Sequence, residues 1–272
     1  MNLLSWDAAY NRELQNHTDN PSDEGTIWFS DSGAEEKILS YLETLELDSN
    51  INTEEKGEEG QENIDNDQLR ILDLGTGNGH LLFALRDEGW KARMVGVDYS
   101  EASIDLARRI GRARREEGEQ EQEEEDGDGE VEESEKVQRD AEEEEQDEEV
   151  IFECFDILNN EPGSWLESGF DIVLDKGTFD AISLSDEVDA QGRRIFESYG
   201  SKVEPMMKVG GFLVITSCNW TEEELRKWFE SPRLAYHDTI RFPSFTFGGV
   251  KGQTVSSVCF RRTENQSNIN CS

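Results

Sequence analysis

The residues best suited to chemistry lie in and just after residues 71–80, where an apolar run ends in three glycines at alternate positions. These are Gly75, Gly77 and Gly79. Because glycine has no Cβ, such a turn can adopt unusual backbone angles and lie against a ligand. Asp73 precedes the turn, where it can accept hydrogen bonds or hold a cationic group. Asp98 ends the next apolar run, where nucleotide-binding α/β units carry a carboxylate for ribose hydroxyls. The spacing predicts a strand, a turn and a helix that together bind a ribose-containing ligand.

The glycine spacing argues against a dinucleotide site. A dinucleotide fingerprint reads G-x-G-x-x-G, whereas this turn reads G-x-G-x-G and has His80 in the last position. A carboxylate at Asp73 would also repel phosphate. The stretch resembles motif I of class I S-adenosylmethionine-dependent methyltransferases, whose cofactor carries an amino acid, a sulfonium and a ribose but no phosphate. The resemblance implies S-adenosylmethionine as the cofactor, with Asp73, the three glycines and Asp98 among the residues that bind it.

Two further residues are candidates for cofactor binding. Asp156 follows the apolar run 150–155 and suits the adenine amino group, although it can equally cap the turn that follows. Trp28 belongs to an aromatic pair with Phe29, after a polar N-terminal segment. This pair either packs a lid onto the domain or closes over the cofactor and the substrate entrance.

Alternating strand and helix patterns surround these residues and predict an α/β fold. Predicted parallel strands cover residues 71–74, 94–97, 150–155, 170–174 and 212–216, and residues 234–242 and 254–262 form an antiparallel hairpin. Capping boxes at 32–35 and 221–224 predict helix starts, and a helix over 195–207 is expected to stop at Gly210 and Gly211. The pattern predicts the class I methyltransferase architecture, a seven-stranded, mostly parallel sheet with a C-terminal antiparallel hairpin and helices on both faces.

The chain divides into a catalytic domain and two acidic insertions. Residues 1–45 are predicted to form a lid and a helix, 68–115 the cofactor-binding half and 150–263 the rest of the domain. The segments 46–67 and 116–149 contain little that can be buried, so they are predicted to be flexible and disordered insertions, respectively. Residues 264–272 are predicted to be a flexible tail.

The charge distribution argues against a nucleic-acid substrate. The formal net charge is −37, and residues 116–149 hold 21 acidic side chains against Lys136 and Arg139. Outside the two insertions the chain is still acidic, and it has no sustained stripe of basic residues. We expect neither nucleic acid nor a membrane as a partner, because no apolar run approaches the length of a membrane span.

The four cysteines show no zinc spacing and are expected to be free thiols, so no metal site is predicted. They lie at positions 154, 218, 259 and 271. The first residues lack the basic and apolar regions of a secretory signal. We therefore expect a cytosolic or nuclear protein. We also expect a monomer.

Two loops make the resemblance more specific. DKGTFDAISL follows the fourth predicted strand and ITSCNWTEEEL follows the fifth. Together with motif I and the terminal PSFTFGG, they resemble eukaryotic seven-strand protein-lysine methyltransferases that modify translation elongation factor 1-alpha. The resemblance covers nearly everything outside the insertions. It implies in-line methyl transfer from S-adenosylmethionine to a lysine of elongation factor 1-alpha, and a cytoplasmic setting.

Within this family resemblance, Asp175 and Phe179 are the predicted catalytic residues. Asp175 is expected to face the incoming lysine ammonium, and Phe179 is expected to form part of the channel wall. The alternative is that Asp175 only holds its loop by accepting backbone N–H bonds. The other predicted channel residues are Phe29, Lys176, Gly177, Thr178, Asn219 and Trp220.

Three other classes of protein are alternatives to this interpretation. A nicotinamide dehydrogenase should show G-x-G-x-x-G, which is absent. A non-catalytic binding protein with this fold would have no need of Asp73, Asp98 and Asp156 at three strand ends. A small-molecule methyltransferase stays open, because fold does not determine substrate.

Overall fold

The computed structural model describes residues 3–45, 69–125, 150–247, 250–253 and 255–264. The strands of this part of the chain are β1 (Arg70–Leu74), β2 (Arg93–Asp98), β3 (Ile151–Cys154), β4 (Phe170–Lys176), β5 (Met207–Ser217), β6 (Leu234–Ile240), β7 (Ser244–Phe247), β8 (Val250–Gln253) and β9 (Ser256–Arg262). Seven of them form a central sheet in the order β3-β2-β1-β4-β5-β9-β6, and β7 pairs with β8 separately. Neighbours from β3 to β5 run parallel, whereas β9 runs antiparallel to both β5 and β6. The predicted seven-stranded, mostly parallel α/β fold is confirmed.

Helices cover both faces of the sheet. They are α1 (Leu3–Asp19), α2 (Ala34–Leu42), α3 (His80–Asp87), α4 (Glu101–Glu125), α5 (Thr178–Ser183), α6 (Tyr199–Val203) and α7 (Glu222–Phe229). Side chains of a strand alternate between faces. Accordingly, Ile71 of β1 packs in the core with α2, α3 and α4, whereas Leu72 and Leu74 pack in the core with α5, α6 and α7. The central strands β1, β2 and β4 are buried on both sides, which explains their nearly continuous apolar runs.

The polypeptide around β5 differs from the prediction. The expected helix over 195–207 is broken, since Pro205 lies in a short 3-10 turn before β5 and cannot continue a helix. β5 then begins at Met207 and runs through Gly210 and Gly211, which were expected to end the helix. A Cβ at Gly211 would lie 2.9 Å from the carbonyl oxygen of Asp171, so this glycine permits close approach of backbone within the sheet.

One of the two predicted capping boxes forms. Thr221 caps α7 and accepts a hydrogen bond from the backbone N–H of Glu224. At α2, by contrast, the capping residue is Gly33 with a φ of 60°, and no side chain caps the helix. Ser32 donates instead to the carbonyl of Phe29, at 2.8 Å.

The insertions fall mostly outside the described residues. Of the first predicted insertion, 46–67, nothing is described. α4 extends through residues 116–125 of the second, and residues 126–149 lie outside the description. The predicted tail is described only at residue 264.

Candidate active site

A cavity of about 300 Å³ opens at the carboxyl ends of the parallel strands. β1 lies between β2 and β4, so the chain order reverses beside it. Ligands of open α/β sheets bind at such a switch point. The predicted site residues that line the cavity are Trp28, Phe29, Gly75, Asp98, Asp156, Lys176, Gly177, Thr178 and Asn219.

The glycine turn contacts the protein's own side chains, and one of its glycines lines the cavity. Gly75 lines the cavity with a φ of 65°, and a Cβ there would lie 1.9 Å from Thr178 Oγ1. Gly77 and Gly79 do not line it, and a Cβ on either would lie 2.7 Å from an aromatic side chain. The turn therefore requires glycine partly for internal packing, a reason that the sequence alone does not show.

Asp98 is fixed at the cavity wall by the backbone. Its carboxylate accepts hydrogen bonds from the N–H of Gly77, at 3.1 Å, and of Ser100, at 2.9 Å. Burial raises the pKa of Asp98 to about 6, so it is mostly ionised at neutral pH. A fixed carboxylate of this kind is suited to accept hydrogen bonds from ligand hydroxyls.

The position of Asp156 is compatible with both interpretations of its sequence context. It caps the turn after β3 by accepting hydrogen bonds from Leu158 N and Asn159 Nδ2, both at 2.8 Å. It is also half-buried and lines the cavity.

Asp73 lies inside β1, beneath the glycine turn, and is not on the cavity wall. Burial raises its pKa to about 7, and the nearby Lys176 ammonium opposes that rise. Asp73 therefore interacts electrostatically with a residue that does line the cavity.

The lid segment, residues 20–33 between α1 and α2, forms one side of the cavity. Trp28 packs edge-on against Trp6 with ring centroids 4.7 Å apart, and both rings line the cavity. Phe29 lies over Gly177, where a Cβ would come within 2.8 Å of the ring. These aromatic side chains both pack the lid segment and face the cavity.

Lys176 connects the lid segment to β4. Its Nζ donates a hydrogen bond to the Trp28 carbonyl at 3.2 Å and lies 3.9 Å from Glu35 Oε2. The other carboxylate oxygen of Glu35 lies 2.6 Å from His80 Nδ1. The lid segment, α2 and the start of α3 therefore meet in one polar cluster.

Asp175 and Phe179 do not reach the cavity, which corrects their expected contact with the substrate lysine. Asp175 is 1% exposed and accepts hydrogen bonds from the backbone N–H groups of Thr178 and Phe179 and from the Tyr199 hydroxyl. Phe179 is equally buried and packs against Tyr199 and Phe229. Because β4 side chains alternate, Asp175 turns into the layer beneath α5 while Lys176 lines the cavity. Asp175 holds the start of α5, as the alternative interpretation proposed.

Trp220 is also turned away from the cavity. Ser217 Oγ accepts hydrogen bonds from the N–H groups of Asn219 and Trp220, which folds the chain back after β5. The Trp220 ring packs against Phe196 and Trp228, and Asn219 alone of the Asn219–Trp220 pair lines the cavity.

Asp180 is a cavity residue to which the sequence analysis assigned no role. It lines the wall although it is only 5% exposed, and it accepts a hydrogen bond from Cys218 N at 2.7 Å. A helical interpretation of residues 177–184 would have identified it. Gly177, Asp180, Ala181 and Leu184 are spaced i, i+3, i+4 and i+7, and all four line the cavity.

The described part of the chain offers neither a metal centre nor a membrane span. There, no group of three or more His, Cys, Asp or Glu side chains is arranged to hold a metal ion. No helix in the same residues has the length and apolar character needed to cross a bilayer.

Comparisons with known proteins agree with this geometry. Residues 65–122 match a family model described as a methyltransferase domain. The structure superposes on a TehB-like SAM-dependent methyltransferase from Corynebacterium glutamicum with a TM-score of 0.50. That alignment covers 94% of this chain and 99% of the other at 14% identity, so it supports the fold alone.

Curated relatives match over nearly the whole chain. Protein-lysine N-methyltransferase EFM4 of Saccharomyces cerevisiae is 37% identical over 94% of this chain and 91% of its own length. The Homo sapiens protein EEF1A lysine methyltransferase 2 is 30% identical over 94% of this chain and 84% of its own length. The chain therefore belongs to the family of protein-lysine N-methyltransferases that includes EFM4 and EEF1A lysine methyltransferase 2.

Proposed function

We propose that this chain transfers a methyl group from S-adenosylmethionine to the ε-amine of a lysine in translation elongation factor 1-alpha. The observation that carries the proposal is the cavity at the switch point of the sheet, which has fixed carboxylates after β2 and β3 and aromatic side chains on its lid side. Relatives named for this protein substrate support the same assignment.

The cavity lining fits the cofactor chemically. Asp98 is placed to accept hydrogen bonds from the ribose hydroxyls, and Gly75 leaves the turn backbone open to the cavity. Asp156, with the apolar Ile157 and Leu158 beside it, suits adenine, which has an amino donor and two apolar faces. When bound, S-adenosylmethionine supplies an electrophilic methyl group on a sulfonium.

The lid side of the cavity suits a lysine side chain. Trp28 and Phe29 present aromatic faces that attract a cation as it arrives, and they exclude water afterwards. Lys176, Gly177, Thr178 and Asn219 form the adjoining wall. Neutralising a lysine at pH 7 costs on the order of 4 to 5 kcal/mol from its reference pKa. Apolar walls reduce that cost because they disfavour the charged form.

The test is incubation of the purified chain with labelled S-adenosylmethionine and purified elongation factor 1-alpha. We expect label on one lysine, identified by mass spectrometry of the digested product. A parallel reaction contains a protein-free cell extract, which holds the substrates of a small-molecule methyltransferase. Label in the extract and none on elongation factor 1-alpha would overturn the proposal.

We further propose that the enzyme acts in the cytoplasm, because its proposed substrate acts in translation, and that it is a monomer. Nucleic acid is not expected to take part, in keeping with a net charge of −37. Fractionation of cells tests the location, and light scattering of the purified chain tests the monomeric state.

A further inference from the structure

We propose that Asp180 is the residue that receives the ammonium group of the substrate lysine and orients its nitrogen in the cavity. This inference rests on the function proposed above and deepens it. It assigns to Asp180 the contact that the sequence analysis expected of Asp175.

The position of Asp180 separates it from the other acidic residues of the cavity. In the described part of the chain, three carboxylates line the wall: Asp98, Asp156 and Asp180. Asp98 ends β2 and Asp156 follows β3, on one side of the central strand β1. Asp180 follows β4, on the other side, where the wall also contains Lys176 and Asn219. The two carboxylates assigned to the nucleoside are thus separated from the one that is left for a second ligand.

Hydrogen bonds fix the orientation of the Asp180 carboxylate. Ser217 Oγ donates to Oδ1, and Cys218 N donates to Oδ2 at 2.7 Å, with the Cys218 thiol 3.3 Å from the same oxygen. A carboxylate has about four acceptor positions. The backbone N–H of Asn219 also stabilises the ionised carboxylate. The thiol is a weak donor, so the group is held rigidly and the position that faces the thiol can still accept a hydrogen bond from an ammonium.

The charges near Asp180 favour a cation. Burial raises the pKa of Asp180, and hydrogen bonds from Ser217 and Cys218 counteract that rise by stabilising the ionised form. Among the described residues of the cavity wall, Lys176 is the one lysine or arginine, and it is engaged by the Trp28 carbonyl and by Glu35. A buried carboxylate attracts a cation more strongly than one in water, because the local dielectric is lower. The nitrogen also carries positive charge once it has been methylated, and Asp180 stabilises that charge.

Three substitutions separate this role from a structural one. Asp180→Asn keeps the shape and removes the charge. Ser217→Ala keeps the Asp180 charge and removes the hydroxyl that donates to Asp180 and accepts hydrogen bonds from the N–H groups of Asn219 and Trp220. Asp175→Asn is the matched control. It makes the same chemical change at a side chain that is 1% exposed and does not line the cavity.

We expect Asp180→Asn to lower kcat/KM for elongation factor 1-alpha by about 100-fold, the usual effect of losing one preorganised electrostatic contact. Its affinity for S-adenosylhomocysteine and its melting temperature should match those of Asp175→Asn, whose kcat/KM should fall less than tenfold. Ser217→Ala, which keeps the Asp180 charge but loosens the loop after β5, should lower the melting temperature more than Asp180→Asn and kcat/KM less. The ratio of wild-type to Asp180→Asn kcat/KM should also shrink between pH 7 and 9.5, because more of the free lysine is then neutral. Asp180→Glu should recover part of the activity.

Binding of elongation factor 1-alpha to the cofactor-free chain gives a readout besides activity, and it should be weaker for Asp180→Asn. Equal losses for Asp180→Asn and Ser217→Ala, with a pH-independent ratio, would overturn the inference and leave Asp180 as a residue that only holds the loop after β5. If the wild type binds cofactor but does not label elongation factor 1-alpha, it is the proposed substrate that fails.

Discussion

The Nζ atom of Lys176 lies 3.2 Å from the carbonyl oxygen of Trp28, so a hydrogen bond joins the end of β4 to the lid segment. The lysine is largely buried there, with its side chain 13% exposed and Glu35 Oε2 3.9 Å away. This hydrogen bond and the packing of Phe29 over Gly177 together hold two walls of the cavity in one arrangement. A change at Lys176 should act on the lid segment before it acts on the cofactor side.

Replacing Lys176 with methionine keeps most of the side-chain volume and removes the donor to Trp28. The loss of a hydrogen bond from a charged group costs about 1.5 to 3 kcal/mol. We expect faster hydrogen exchange in residues 20–33 and a higher KM for the protein substrate. Lys208→Met is the control, because Lys208 forms an ion pair with Asp171, at the opposite end of β4 from Lys176. Equal exchange in the lid segments of both variants would contradict the assigned role of Lys176.

Asp98 should contribute more to cofactor affinity than Asp156. Asp98 is buried and fixed by two backbone donors, whereas Asp156 is half-buried and already caps a turn. We expect Asp98→Ala to weaken S-adenosylmethionine binding by roughly 1 to 3 kcal/mol, the cost of losing a charge-assisted acceptor, and Asp156→Ala to cost less. Calorimetric titration measures both changes. A larger loss of affinity in Asp156→Ala than in Asp98→Ala would contradict a ribose site at the end of β2.

Activity should require glycine at position 177 because a larger residue would displace Phe29, and not only because of the positive φ. Gly177 has a φ of 94°, and Gly192 has a φ of 78° with open space around the position of a Cβ. An alanine at either position suffers backbone strain of roughly 1 to 3 kcal/mol. Only Gly177→Ala places a methyl group 2.8 Å from the Phe29 ring.

We therefore expect the two variants to differ in activity more than in stability. Displacement of Phe29 by about 1 Å can lower turnover by up to about 100-fold. Chemical denaturation and steady-state methylation of both variants make the comparison. Similar turnover for Gly177→Ala and Gly192→Ala would show that the position of Phe29 does not matter.

The acidic segment 126–149 should be dispensable for cofactor binding. Its composition offers little to bury, and the described part of α4 ends at Glu125. We expect replacement of residues 126–149 by a short Gly/Ser linker to leave the melting temperature and the affinity for S-adenosylhomocysteine nearly unchanged. A marked fall in either would mean that this segment packs on the domain.

The sheet and the strand-end carboxylates could be predicted because each follows from local pattern. Apolar runs that end in Asp98 or Asp156 identify strands, and the carboxyl ends of parallel strands must meet at one edge. Asp175 ends a strand in the same way, yet it is buried beneath α5. Which face a strand-end side chain takes depends on a one-residue difference in register, and the sequence did not resolve it.

The other differences come from contacts between segments far apart in sequence. Gly77 and Gly79 leave space for aromatic rings from other segments of the chain, and the sequence of the turn does not indicate those contacts. Trp220 looked like a channel residue because it follows a strand, but the bonds to Ser217 Oγ fold it into an aromatic cluster. Such packing is decided by tertiary contacts, which a single sequence does not specify.

The buried carboxylates should make the free energy of unfolding depend on pH. Burial raises the pKa of both Asp73 and Asp175 to about 7, far above the ordinary value of 3.8. Between these two pH values the folded chain binds protons that the unfolded chain has released. The stability that this provides is fully present below about pH 4 and is lost as the pH rises through about 7.

Asp175→Asn isolates one of these groups, because the amide cannot ionise and still offers an oxygen to the N–H groups of Thr178 and Phe179. The Tyr199 hydroxyl can rotate to accept a hydrogen bond from the new amide, so the fold should tolerate the change. Each proton contributes at most about 1.4 kcal/mol per pH unit. We therefore expect the unfolding free energy of the variant to fall less steeply than that of the wild type between pH 5 and 7, when measured by chemical denaturation at several pH values. Parallel curves would mean that Asp175 has the same pKa in the folded and unfolded chains.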